Sequence, residues 1–306
     1  MSGRFLSIGE CMVELSQAGA GLLRKGFAGD TLNTAWYARC CLSSEWSVDY
    51  CTALGDDAMS DEMIAFFRDA GIGTSLIRRI KGKAPGLYMI SLKNGERSFS
   101  YWRDSSAARQ LAADPDFLRE AIELSDVVYF SGITLAILSR DHADTLLAEV
   151  RRAKAAGKLV VFDPNIRPRL WSSYDEMHAT ISEGARASTL VMPSFDDETA
   201  HFGDSTIEAT IDRYRALGAA HVLVKNGAEG ATLNFDGIET FVPAEKVLQV
   251  IDTTSAGDSF NGAFLARYLE TADAPSAARF AARVAARVVS EHGALIAREK
   301  LGLERP

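Results

Sequence analysis

The chain has 306 residues, 47% hydrophobic and 24% charged, the profile of a globular protein long enough to bury an extensive core. Its formal net charge of −8 gives no whole-molecule basic field to collect nucleic acid or anionic lipid, so an anionic ligand must be held by a local site. The N-terminal MSGRFLSIGE lacks the basic and long apolar regions of a secretory signal and no apolar run reaches membrane-spanning length, so a cytoplasmic protein without membrane contact is expected.

In chain order, short β-branched runs alternate with helical stretches. Strands are expected at residues 5–8, 48–54, 127–130, 159–162, 190–192 and 222–224, and helices between strands favour a parallel sheet covered on both faces. After Ser139, Ala143, Leu146, Leu147 and Val150 recur at i, i+3, i+4 and i+7, and Gly157 supplies a stop; this helix would cross between two strands. Two stretches break the rhythm: 11–17, and 86–102 with a turn at Asn94-Gly95. Both alternate like half-exposed strands and are expected to form a small antiparallel flap, the alternative being edge strands of the main sheet. Cys11, Cys40, Cys41 and Cys51 match no zinc spacing and read as plain thiols, and the five histidines show no paired-ligand spacing.

The most informative segment is 250–262, VIDTTSAGDSFNG. It reads as a strand end, a tight turn of the small residues Ser255, Ala256 and Gly257, then a helix whose apolar face is Phe260, Ala263, Phe264 and Tyr268. Small residues at a helix start let backbone N–H groups approach an anion, and the helix dipole favours negative charge there. A carboxylate in the same turn opposes phosphate binding, so Asp258 needs another purpose: accepting a proton from an attacking hydroxyl, or simply capping the helix. No Gly-Lys-Ser/Thr follows, so this is not a Walker A loop, and no GxGxxG follows the first strand.

DTTSAGDSFNG resembles the DTxGAGD signature of the ribokinase-like (PfkB) carbohydrate kinases, and AGDTLNTA at 28–35 resembles that family's N-terminal signature. GECMVELS, PGLYMI, GERSFSYWR and RPRLW are similar, within the family, to the branch acting on 2-keto-3-deoxygluconate. The resemblance implies one α/β domain over 1–306: a three-layer α/β/α unit with a mostly parallel central sheet and a small β-strand lid drawn from about 11–17 and 86–103. It also implies ATP and Mg2+, with room for a monovalent cation, and transfer of phosphate to the 6-hydroxyl of 2-keto-3-deoxygluconate to give 2-keto-3-deoxy-6-phosphogluconate. Asp258 would be the general base, beside the anion hole of Ser255, Ala256 and Gly257.

By the same resemblance Gly29, Asp30 and Asn33 bind sugar hydroxyls, with capping of the next helix as the alternative. Tyr88, Tyr101, Arg103 and Arg167 lie towards the acid end of the substrate. Tyr101 and Arg103 are two apart and can share a strand face, and Arg167 offers a fixed fork for a carboxylate, or a partner for a structural ion pair. Asn165, Ser194, Lys225, Gly227 and Gly230 fall on the nucleotide side. Ser194 and Asp197 stand where the family has NxxE, with Asp197 as the metal residue; Ser255 and Ala28 replace family glycines. A neutral-sugar kinase such as a fructokinase or ribokinase, and a non-catalytic sugar-acid sensor, are the alternatives, and lid edges invite a homo-oligomer.

Overall fold

The computed structural model describes residues 2–19, 21–93 and 96–302, so the expected Asn94-Gly95 turn lies outside the described residues. Its strands, in chain order, are β1 (Gly3–Ile8), β2 (Met12–Gln17), β3 (Leu23–Ala28), β4 (Trp46–Leu54), β5 (Ile77–Arg79), β6 (Leu87–Lys93), β7 (Glu96–Trp102), β8 (Val127–Ser131), β9 (Leu159–Asp163), β10 (Leu190–Val191), β11 (His221–Asn226), β12 (Gly230–Phe235) and β13 (Ile238–Pro243).

Among the described residues nine strands form one sheet in the order β13-β12-β11-β10-β9-β8-β1-β4-β5. Pairing is parallel from β11 through to β5 and antiparallel only for β11–β12 and β12–β13. The central strands are apolar on both faces because both faces are covered. Phe5, Tyr129 and Val161 point into a core shared with the helices Asp30–Cys41, Ala256–Thr271 and Ala274–Val289. Their chain neighbours Leu6, Val128 and Val160 point into the opposite core, with the helix Arg140–Ala155. In that helix Ser139 accepts a hydrogen bond from the His142 N–H at 3.3 Å, Ala143, Leu146, Leu147 and Val150 are buried, and Gly157, at φ 81°, stops the chain in the left-handed region. Truncating fully buried Leu146 to alanine is expected to cost about 2–5 kcal/mol. No helix among the described residues is long and apolar enough to cross a membrane.

β1 sits between β4 and β8, so the chain runs outwards to β5 and then returns to build the other half of the sheet from β8. A crevice opens at the carboxyl ends of strands where the order reverses in this way. The second sheet is β3-β2-β6-β7, and Tyr101 of β7 meets Arg169 in the loop at the carboxyl end of β9. The expected flap strands belong to this sheet and not to an edge of the large one, but it is mixed: β2 pairs with β6 in parallel, while β2–β3 and β6–β7 are antiparallel. The two stretches were expected to pair only with antiparallel neighbours; the crossing from β2 through the main sheet to β6 sets the parallel direction instead. Met12, Ala28 and Tyr88 form its buried apolar face, with Ile90 and Tyr101 packed against them.

Where the chain leaves β1 for the small sheet, Glu10 is buried and paired with Arg103, just past β7, and it accepts a hydrogen bond from Ser106 Oγ at 2.6 Å. Gly29 and Gly86 pass against it: a Cβ at Gly86 would stand 2.8 Å from Glu10 Oε1, and one at Gly29 would collide with the Glu10 carbonyl.

Candidate active site

The turn before the helix Ala256–Thr271 places Ser255 at φ 65°, a left-handed conformation that explains why a glycine suits this position and that a serine tolerates only with strain. Ser255 is the N-cap residue and Asp258 lies inside the first turn, so Asp258 is not a cap. The helix crosses Asp30–Cys41 closely, since a Cβ at Gly262 would stand 2.5 Å from the Thr34 carbonyl oxygen. This approach brings Asn33 to Asp258: Asn33 Nδ2 donates to Asp258 Oδ2 at 2.9 Å, while Asn33 Oδ1 accepts from the Gly29 N–H at 3.4 Å. Asn33 therefore steadies its own helix start, the alternative weighed for it, and also holds Asp258, a contact the sequence did not suggest. Burial, and next the charge of Asp30, push the half-buried Asp258 carboxyl up to about 7; Asp163 adds to the rise, and Asn33 and Lys225 oppose it.

The loop after β9 supplies the facing wall. Asn165 is held at φ 35°, a conformation asparagine tolerates better than most residues, and its Nδ2 donates to Asp30 Oδ2 at 2.8 Å. Burial raises the Asp30 pKa, against hydrogen bonds from Ser131 and Asn165. Asp163 is buried and fully engaged: Oδ1 accepts from the Asn165 N–H at 3.0 Å, and Oδ2 accepts from Lys225 Nζ at 2.8 Å and Asn261 Nδ2 at 2.6 Å. Asn261 Nδ2 also reaches the Tyr129 hydroxyl at 3.1 Å, to which Thr34 Oγ1 donates at 3.3 Å. Lys225 Nζ would stand 3.6 Å from a Cβ at Gly257, so the cation lies beside the Ser255–Gly257 turn. Ser194 forms a β-bridge with Lys225, whose N–H donates to the Pro193 carbonyl at 2.8 Å.

Asp30, Asn33, Asn165, Lys225, Gly257 and Asp258 are thus brought together from four segments. The acid-end set behaves differently. Tyr88 is buried, donates to Glu14 and stacks on Tyr101 with ring centroids 5.9 Å apart. Arg103 does not stand on a strand face beside Tyr101: it lies past the end of β7, buried, and committed to Glu10. Arg167 pairs with Asp197 at 3.3 Å, the ion pair that was the alternative to a substrate contact. Gly227 and Gly230 are in the β11–β12 turn at φ 49° and 131°; a Cβ at Gly230 would collide with the Val242 carbonyl, so the β12–β13 pairing already demands glycine there. Sequence reasoning assigned no role to Glu10, Tyr129, Asn261 or Arg169. Asn261 sits within the turn-and-helix signature, three residues after Asp258, and that proximity was the available signal.

Among the described residues no cluster of three or more histidine, cysteine or acidic side chains forms a metal cage. Burial raises the Asp197 pKa against its pair with Arg167, and since Asp163 is already engaged, Asp197 is, among the described residues, the one carboxylate at hand on the Lys225 side. That donor set fits Mg2+, which is commonly held by one or two carboxylates together with substrate phosphates.

Residues 4–301 match the pfkB family of carbohydrate kinases. The 2-dehydro-3-deoxygluconokinase of Dickeya dadantii (strain 3937) is 40% identical over 301 residues, covering 96% of this chain and 97% of the relative. The enzyme of the same name from Haemophilus influenzae is 38% identical over 295 residues, with 94% of each chain covered. Among solved structures, the PfkB protein from Polaromonas sp. JS666 superposes with a TM-score of 0.83 at 27% identity, covering 99% of this chain and 100% of that one. A fructokinase with bound ATP from Xylella fastidiosa shares the fold, with a TM-score of 0.85 at 24% identity and coverage of 98% and 97%.

Proposed function

Because the chain belongs to the pfkB family of carbohydrate kinases, we propose that it transfers the γ-phosphoryl group of ATP to the 6-hydroxyl of 2-keto-3-deoxygluconate, giving 2-keto-3-deoxy-6-phosphogluconate. Full-length relatives bearing the corresponding name support the substrate. The chemistry is carried by one observation: a carboxyl at about 7, held by Asn33 in the first turn of a helix whose start is open to an anion. A base of that strength accepts a proton readily near neutral pH and releases it afterwards. Asp258 takes the proton of the 6-hydroxyl as its oxygen forms the new P–O bond and the bond to the β-phosphate oxygen breaks. Asn33 keeps the accepting oxygen aimed, Asp30, steadied by Asn165, holds sugar hydroxyls, and the backbone N–H groups after Ser255, with Lys225, face the charge that develops on the phosphoryl oxygens.

Asp197 would hold Mg2+ together with the nucleotide, and the ion would supply neutralisation of the phosphate charge. The small sheet serves as a lid that excludes water, and its exposed Leu23, Phe99 and Trp102 support self-association through its edges. Release of ADP, measured with keto-deoxy sugar acids, aldonates, fructose and ribose, tests the proposal. The sugar acid should be preferred and excess chelator should abolish turnover; preference for fructose or ribose would replace this reading by a neutral-sugar kinase.

A further inference from the structure

Beneath the turn that carries Asp258, a line of hydrogen bonds runs through the floor of the cleft and passes through a side chain that touches neither proton nor phosphate. Asn261 is fully buried on the helix Ala256–Thr271, three residues after Asp258 and so on the same face. Its Nδ2 donates to Asp163 Oδ2 at 2.6 Å and to the Tyr129 hydroxyl at 3.1 Å, whereas its Oδ1 meets no donor among the described residues. A buried asparagine kept for packing alone would be expected to use both ends of its amide. This one is committed as a donor, and one of its two bonds goes to a carboxylate, the stronger kind of acceptor.

Asp163 Oδ2 is also the atom that accepts from Lys225 Nζ at 2.8 Å. Lys225 is buried, and its ammonium lies beside the turn 255–257, where a Cβ at Gly257 would stand 3.6 Å away. A lysine is a point charge on a flexible four-carbon stem, so its position depends on what holds its far end. Here the holder is a carboxylate set from two sides: the Asn165 N–H donates to Oδ1 at 3.0 Å, and Asn261 donates to Oδ2. The other branch from Asn261 leads to the Tyr129 hydroxyl, to which Thr34 Oγ1 donates at 3.3 Å, and the same Oγ1 lies 3.4 Å from the Asp258 carbonyl oxygen. One helix face thus presents the base and, through Asp163, secures the cation.

We propose that Asn261 is a positioning residue: it fixes Asp163 and thereby keeps Lys225 Nζ against the turn that receives the phosphoryl oxygens while Asp258 takes the proton. The proposal rests on the phosphoryl-transfer reading above. Without the amide, Asp163 Oδ2 is free to swing and carry its lysine off the turn, and the charge that develops on the phosphoryl oxygens loses its preorganised counter-charge. The loss therefore falls on the chemical step and not on sugar binding.

The test is a double-mutant cycle of Asn261→Leu and Lys225→Met, read by ADP release on the preferred sugar among keto-deoxy sugar acids, aldonates, fructose and ribose, with thermal melts alongside. Leucine keeps the volume and removes the unpaired oxygen together with the donors, so the melting temperature should stay within ~3 °C of wild type. Asn261→Leu should lower kcat about tenfold with KM for the sugar unchanged, and Lys225→Met should lower it about 10²-fold. Added to Lys225→Met, Asn261→Leu should cost less than about twofold more, because its effect passes through the lysine. Asn261→Ser, whose shorter hydroxyl falls short of Asp163, should repeat the pattern and serves where leucine disturbs the fold. A wild-type kcat in both Asn261 variants would overturn the proposal. So would losses that multiply in the double variants, which would leave Asn261 as a packing residue independent of Lys225. A wild type that releases no ADP with any of these sugars sinks the phosphoryl-transfer reading and this proposal with it; an active wild type whose double variants show multiplied losses sinks the proposal alone.

Discussion

Around Asp258, the three carboxylates Asp30, Asp163 and Asp258 share one cation, Lys225. Near the lid the balance reverses: Arg103, Arg167 and Arg169 meet two carboxylates, Glu10 and Asp197. The floor of the cleft is short of positive charge, so Asp258 is reluctant to ionise and is poised to take a proton. The rim has positive charge to spare, so it suits an acidic substrate better than a neutral one. In the proposed reading, acid–base chemistry and substrate selection are separated in space, and each can be broken without the other.

The largest expected effect is on the floor. Asp258→Asn should keep the fold and ATP binding while lowering kcat at least ~10²-fold, the usual scale of general-base loss, as measured by steady-state kinetics and circular dichroism. The same change should stabilise the protein at neutral and higher pH. A carboxyl raised to about 7 holds a proton in the folded state that the unfolded chain releases above about 4, so it subtracts stability as pH climbs between those values. Thermal melts of Asp258→Asn should therefore exceed wild type by ~2–5 °C at pH 8, with the gain fading as pH falls towards 4.

At the seam under the rim, Glu10→Gln should cost about 2 kcal/mol in a denaturant titration, because Arg103 keeps a hydrogen-bond partner but loses its buried counter-charge. Its effect on catalysis should appear in KM for the acid more than in kcat. Arg167→Leu should raise KM for 2-keto-3-deoxygluconate about tenfold with ATP binding little changed; an equal penalty on a neutral sugar would show that the Asp197 pair, not the substrate, is what it serves. Asp30→Asn has the subtlest signature. Removing the charge that raises Asp258 most should move the acid limb of the kcat/KM profile to lower pH, whatever it does to sugar binding.

The floor was far more legible in the sequence than the rim. The buried strands, the helix after Ser139 and the turn at 255–257 announce themselves through local hydrophobic period and small residues, and those local signals suffice to place Asp258. β3 carries no such signal: in LRKGFA its first three residues are exposed and charge interrupts the alternation. The parallel β2–β6 pairing is set by the path of the chain between them, which no residue pattern within either strand records. Glu10 and Arg103 are 93 positions apart, as are few pairs that look so ordinary one by one, and only their shared burial reveals that Arg103 is occupied. Asn261 was visible as a letter of the signature, but its contacts with Tyr129 and Asp163 come from three separate elements.

The most direct measurement of the central claim is the pH dependence of kcat/KM for 2-keto-3-deoxygluconate in the wild type beside Asp258→Asn. The geometry predicts a wild-type rate that climbs through about pH 7 and then levels, with that limb absent from a variant at least ~10²-fold slower. A wild-type profile flat through neutrality, or a variant turning over the sugar acid at close to the wild-type rate, would contradict Asp258 as the base.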